Sequence, residues 1–195
     1  LKMLNMITFY DSQAIIMDFF SGSATTAHAV MKLNAEDGGN RKFIMVQLPE
    51  PTDEKSEAYK AGYSNICEIG KERIRRAGEQ ILEEHPEAAD RLDVGFKVLK
   101  LDQSNIKEWN VTFDDLEEEL DLFADTFVEG AREIDIVYEI MLKTGLELTL
   151  PIDSFEVDGK NVYDIAYGNL FVCLADGIDT TIAQAIVDKR KEYGI

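Results

Sequence analysis

An α/β fold, holding part of a doubly wound parallel sheet and followed by an α+β extension, is what the sequence predicts. Three observations carry this. Ala14 to Phe20 is a nearly unbroken apolar run, as expected of a parallel strand buried on both faces. A turn of small residues, Ser21 to Thr26, leads from it into a helical stretch. A second apolar strand, Lys42 to Leu48, follows and is stopped by Pro49 and Pro51. Strand, helix and strand make one βαβ unit, whose crossover is expected to be right-handed.

The remaining elements follow in order. Ala27 to Met31 continue the helix toward the turn Asp37-Gly38-Gly39-Asn40. Pro51 to Gly62 reads as a polar loop holding one helical turn. Ser64 is a plausible N-cap for a helix running to Glu84, with Ile66, Ile69, Ile74, Ala77 and Ile81 at helical spacing, ended by His85-Pro86. Val94 to Leu101 alternates as a third strand. From Asp102 the character changes. Thr112 and Asp115 open a capping-box-like helix carrying Leu116, Leu120, Phe123 and Phe127. A further helix spans about Glu133 to Lys143 and stops near Gly145. Leu146 to Ile152 reads as a strand, Asp158-Gly159 as a hairpin turn, Leu170 to Leu174 as a short strand, and Thr180 opens a last helix. Residues 1–101 thus form the βαβ part and residues 102–195 a helical and hairpin extension.

Composition narrows the functional classes. The chain has 195 residues, 45% apolar and 9% aromatic, enough for a substantial core. No run of 18 uncharged apolar residues occurs, so no membrane span is expected. Leu1 to Tyr10 lack a basic leader with a small-residue cleavage site, and a cytoplasmic protein is expected. The absence of an initiating Met predicts that the natural protein begins upstream. Cys67 and Cys173 read as reduced thiols, and with only His28 and His85 beside them no metal site is predicted. Thirty-eight acids against 20 bases give a net charge of −18. Such a surface repels phosphate backbones, so any grip on DNA would lie elsewhere.

The chemistry-bearing stretch is Ile15 to Val30. Small residues at a strand end let the backbone approach a ligand, and the following helix offers free amides to a negative group. Open α/β sheets bind ligands at this carboxyl end. By these residues alone the ligand stays open. A dinucleotide loop wants Gly-x-Gly-x-x-Gly, and here the register gives Gly22, Ala24 and Ala27; its acid is replaced by Gln47. A Walker loop is excluded, since no Gly-Lys-Ser/Thr follows. A packing turn with no ligand is the remaining reading.

The run Asp18-Phe19-Phe20-Ser21-Gly22-Ser23-Ala24-Thr25-Thr26-Ala27-His28-Ala29-Val30 resembles the cofactor motif of amino-methyltransferases acting on DNA. Its form is typical of modification subunits of type III restriction systems. The resemblance continues through Leu33 to Arg41, Val46 to Thr52 and Gly70 to Arg76, about a hundred residues closely and the remainder more loosely. It implies a β-class, adenine-specific DNA methyltransferase, with this chain a C-terminal fragment of an incomplete Rossmann-like fold. The implied cofactor is S-adenosylmethionine. Phe20 and Gly22 would line the methionine pocket, with amides from Ser23, Ala24 and Thr25 nearby. Asp18 would hold the methionine amino group, and Gln47 stands where many methyltransferases place an acid for the ribose. Leu48 and Pro49 would flank the adenine. The usual second glycine of the loop is Ala24 here: harmless at ordinary helical angles, weakening if that position needs a positive φ.

The resemblance also implies what is missing. The Asp-Pro-Pro-Tyr-like catalytic tetrad and the target-recognition region lie upstream in this arrangement, and no Pro-Pro pair occurs here. No catalytic residue is therefore assigned, and the fragment alone is expected to be inactive. DNA would be held by the absent region, a restriction subunit would be a partner, and apolar strand edges would favour self-association. An assembly module with a vestigial pocket is the alternative, and a nicotinamide-binding fragment a third. The acidic stretch Asp114 to Gly130 reads as a solvated helix face or a docking surface. His28 reads as packed beside the loop ahead of a catalytic role. Arg73, Arg75 and Arg76 are expected to pair with nearby acids.

Overall fold

The computed structural model describes residues 1–107 and 127–194, which divide into compact units 1–97 and 98–195. The first unit runs α1 (Lys2–Ile7), β1 (Ile15–Asp18), α2 (Thr25–Asp37), β2 (Lys42–Met45), α3 (Glu57–Lys60) and α4 (Ile66–Glu84), then a 3₁₀ turn at Pro86–Ala88. Strands β1 and β2 pair in parallel, Ile15 opposite Lys42 and Met17 opposite Ile44, with α2 as the crossover. The sequence placed the βαβ unit correctly and made both strands three residues too long.

One face of this two-stranded sheet builds the core. Ala27, Met31 and Ala35 of α2 and Ile74, Ala77 and Ile81 of α4 close over Phe43 and Met45. Burying each large aliphatic side chain there contributes about 2 kcal/mol. The opposite face is bare. Ile15 is 63% exposed, Met17 59% and Ile44 47%, which corrects the expectation of a strand covered on both sides. Alternation places these three on the side away from the helices.

Two arginines fasten the C-terminal end of α2. Gly38 ends the helix in the left-handed region, φ 76°, and its amide donates to the Asn34 carbonyl. Arg41, buried, donates from Nε to Thr8 Oγ1 at 2.7 Å and pairs with Asp37 at 2.9 Å. Arg91 donates to the carbonyls of Asn34 and Ala35, giving Ala35 a partner the last helical turn does not supply and Asn34 a second beside the Gly38 amide.

Helix α4 begins at Asn65, whose side chain accepts from the Glu68 amide, so the cap lies one residue beyond the Ser64 expected. The third strand is a further correction: residues 92–101 pair with no strand among the described residues. Val94 and Phe96 do lie on one side, as their alternation demands, but they pack against the helical core. Val94 sits where a Cβ on Gly78 would meet it at 3.0 Å, and Arg75 stacks on Phe96 at 5.7 Å. Alternation reports a buried side, not a hydrogen-bonded neighbour.

The second unit comprises α5 (Glu133–Thr144), the antiparallel meander β3 (Ile152–Val157), β4 (Lys160–Ile165) and β5 (Leu170–Val172), and α6 (Thr180–Glu192). Asp158 and Gly159 both have positive φ, as the two-residue hairpin requires. Leu146 to Leu150 form turns instead of the expected strand; Leu146, Leu148 and Leu150 pack on the Val137–Met141 core. The buried Asp164 carboxylate accepts from the Gly168 amide at 2.7 Å and the Tyr193 hydroxyl at 2.8 Å, joining the β4–β5 turn to the end of α6. The amphipathic stretch expected from Thr112 falls, but for Phe127, outside the described residues.

Candidate functional site: the Ser21–Thr26 loop

The loop between β1 and α2 is built by close backbone approach. Gly22 has φ 53° and Ala24 φ 58°, both left-handed. Ala24 is also the N-cap of α2, and among the described residues no side chain caps that helix. The first-turn amides of α2 therefore have no intrahelical acceptor. Hydrogen bonds within the loop and to the chain just beyond β2 hold its conformation. The Gly22 amide donates to Gln47 Oε1 at 2.8 Å, and the Ala24 amide donates to the Ser21 carbonyl at 2.8 Å. The Ser21 amide reaches the Val46 carbonyl at 3.3 Å, so the end of β2 carries one side of the turn.

The residues singled out from the sequence gather here, with differing exposure. Asp18, half-buried at the end of β1, accepts from Thr26 Oγ1 at 2.6 Å. Ser23 Oγ accepts from Arg73 Nη1 at 3.0 Å. Thr25 is exposed at the first position of α2. Phe20 is 74% exposed, its ring 5.4 Å from that of Phe19. Met17, Asp18, Phe19 and Phe20 line an open depression of about 210 Å³. A Cβ on Gly22 would meet nothing within 4 Å, so open space lies over that part of the loop. Gln47 has its amide oxygen engaged by the loop and its Nε2 on the Leu48 carbonyl at 3.2 Å.

Ala24 takes the left-handed alternative left open by the sequence. Its methyl group is nearly fully buried, within the core under α2 and α4. The backbone conformation costs about 1–2 kcal/mol for a residue with a Cβ. Burial of the methyl returns about 0.8 kcal/mol of that.

Three contributors escaped the sequence reading. Thr26 was visible only as part of the turn, yet it is the partner of Asp18. Gly70 lets α4 come against the loop; a Cβ there would stand 3.3 Å from the Gly22 carbonyl oxygen and 3.6 Å from the Ala24 methyl. Arg73 was expected to meet an acid. Arg75 and Arg76 do, both on Glu72, whereas Arg73 meets Ser23. The available signal was the spacing of Gly70 and Arg73, which share one face of a helix. His28 lies beside them in a shallow hollow of about 360 Å³ with Tyr63, Glu72 and Arg73. Burial first, then the positive charges of Arg73 and Lys32, push its imidazole below the ordinary value. Among the described residues no cluster of His, Cys, Asp or Glu is arranged to hold a metal ion.

No protein-family model matches the chain. Individual relatives do. The Mod subunit of the type III restriction-modification enzyme EcoP15I from Escherichia coli is 33% identical over 186 residues, 92% of this chain. The Mod subunit of EcoPI, from Escherichia phage P1, is 32% identical over 182 residues, 90% of the chain. The chain belongs with the modification subunits of type III restriction-modification enzymes. It spans about a quarter, 26%, of the length of each of these two relatives. Identity is higher where the match is shorter: 47% over 87 residues with the StyLTI Mod subunit of Salmonella typhimurium. The type II methyltransferase M.KpnI of Klebsiella pneumoniae is 48% identical over 56 residues, which places the relationship among methyltransferases beyond type III systems.

Proposed function

We propose that residues 1–101 are the S-adenosylmethionine-binding portion of a Rossmann-like, site-specific DNA adenine methyltransferase, with residues 102–195 an extension that serves assembly. The observation that carries this reading is the Ser21–Thr26 loop: a strand end turns through two left-handed residues into an uncapped helix, in a chain related to Mod subunits. The residues present fit such a cofactor. The free amides of the first turn of α2 suit its carboxylate. The open space over Gly22 admits its backbone-sized amino-acid end. Exposed Phe20 and the depression beside Asp18 offer an apolar wall and a hydrogen-bond acceptor for its amino group. Gln47 supports the loop from below through Gly22, and this reading gives it a positioning part in addition to any hydrogen bond to ribose.

When bound, S-adenosylmethionine supplies an electrophilic methyl group. What this chain contributes is its placement: Asp18, the loop amides and Phe20 bind and orient, and no residue is assigned to the acceptor base. Recognition of DNA, and pairing with a restriction subunit, would fall to the remaining length of a complete modification subunit. The charge of −18 favours that division, because phosphate contact needs clustered Lys and Arg. A cytoplasmic location goes with the proposed activity; among the described residues no helix is long and apolar enough to cross a membrane. The second reading, an assembly module with a vestigial pocket, draws on the bare apolar face of β1 and β2.

Calorimetric titration with S-adenosylmethionine, with NADH as the comparison ligand, separates these readings. Micromolar binding of the methyl donor and none of NADH is the expected result. Heat from NADH alone would support a nicotinamide site, and heat from neither would leave the assembly reading.

A further inference from the structure

Three arginines lie within four positions of α4, and two of them meet an acid among the described residues. Glu72 takes Arg76 at 2.7 Å and Arg75 at 3.6 Å. Arg73 has no carboxylate within ion-pair distance among the described residues, although the chain carries 38 acids. It is half-buried, and its Nη1 donates to Ser23 Oγ at 3.0 Å. One turn earlier on the same face, Gly70 brings the helix within van der Waals reach of the Gly22 carbonyl and the Ala24 methyl. Gln47, after β2, holds the Gly22 amide. The loop is thus met by two separate chain segments at the residues with left-handed backbone, and such conformations persist only where the surroundings over-determine them.

We propose that Arg73 is a positioning residue for this loop: through Ser23 it holds the backbone amides of Ser23 and Thr25 in the arrangement that receives the cofactor's carboxylate end, while the Ala24 amide stays on the Ser21 carbonyl. The inference rests on the cofactor reading above for the identity of the ligand, and on the Arg73–Ser23 contact for the grip itself. The Arg73 charge meets a hydroxyl that no acid contests among the described residues, so removing Arg73 loosens one turn of backbone and leaves the helical core of α4 in place.

The test uses the whole chain with Arg73→Ala, Ser23→Ala and the double variant. Amide hydrogen exchange at Gly22 and Ala24, the loop amides with acceptors inside the protein, is expected to accelerate about tenfold in each single variant, with the melting temperature nearly unchanged. Affinity for S-adenosylmethionine is expected to fall about tenfold in each, and the double variant to be no worse than either single. Exchange at wild-type rates in Arg73→Ala, or strictly additive losses in the double variant, would overturn the proposal. If exchange responds and couples but the unaltered chain takes up no S-adenosylmethionine, the grip stands and the cofactor reading falls.

Discussion

At Gly22 the conformation and the space can be separated. Its φ is 53°, and a Cβ there would touch nothing within 4 Å. Gly22→Ala therefore introduces backbone cost without a clash, and equilibrium urea unfolding is expected to show a loss of about 1 kcal/mol. A variant as stable as the parent would mean that the loop relaxes to ordinary angles. Two positions on, Ala24 meets the same backbone demand, and its buried methyl offsets much of the cost. Sequence could pose the question at Ala24 but not answer it, because φ at a turn is set by what the loop packs against. Here that is Gly70, forty-six positions away.

At the scale of elements, the junction between α2 and β2 has a pH signature. Burial raises the Asp37 carboxyl, but hydrogen bonds from Arg41 and the Gly39 amide outweigh it, and the net shift is below the ordinary value of 3.8. A carboxyl lowered on folding stabilises the folded state above its unfolded value, and that stability is lost as pH falls through the lower folded one. Urea midpoints measured from pH 6 downward should drop more steeply below about pH 3.8 in the parent than in Asp37→Asn. Parallel curves would remove Asp37 from the account. Elements were legible where a local rule dictates them. Asp158-Gly159 fixed its hairpin because both positions must take positive φ, and Gly145 ended α5 for the same kind of reason. Val94 to Leu101 misled because alternation and strand pairing are different properties, and only the first is local. The Asp18–Thr26 and Arg73–Ser23 contacts were illegible because no local rule names a partner 8 or 50 positions away; the spacing of Gly70 and Arg73 marks a shared helix face but not what that face meets.

For the whole molecule, two surface properties oppose one another. The bare side of β1 and β2 exposes Ile15, Met17 and Ile44, and such a patch favours association. The net charge of −18 resists it, over a distance that salt shortens. Sedimentation should therefore show association that grows with protein concentration and strengthens between low and moderate salt, and Met17→Glu should abolish it. A single monomeric species at high concentration and moderate salt would contradict this. The same bare face explains why the sequence suggested a doubly covered strand: its composition is that of a buried strand, whereas coverage depends on what lies against it.

The central claim is that the Ser21–Thr26 loop receives S-adenosylmethionine, and amide chemical shifts followed during titration with that ligand test it most directly. The account predicts that the largest movements fall on Gly22, Ser23, Thr25 and the Gln47 side-chain amide, while signals from the β3–β5 meander stay in place. Saturating ligand that leaves the loop signals unmoved, or that moves only residues elsewhere, would contradict it.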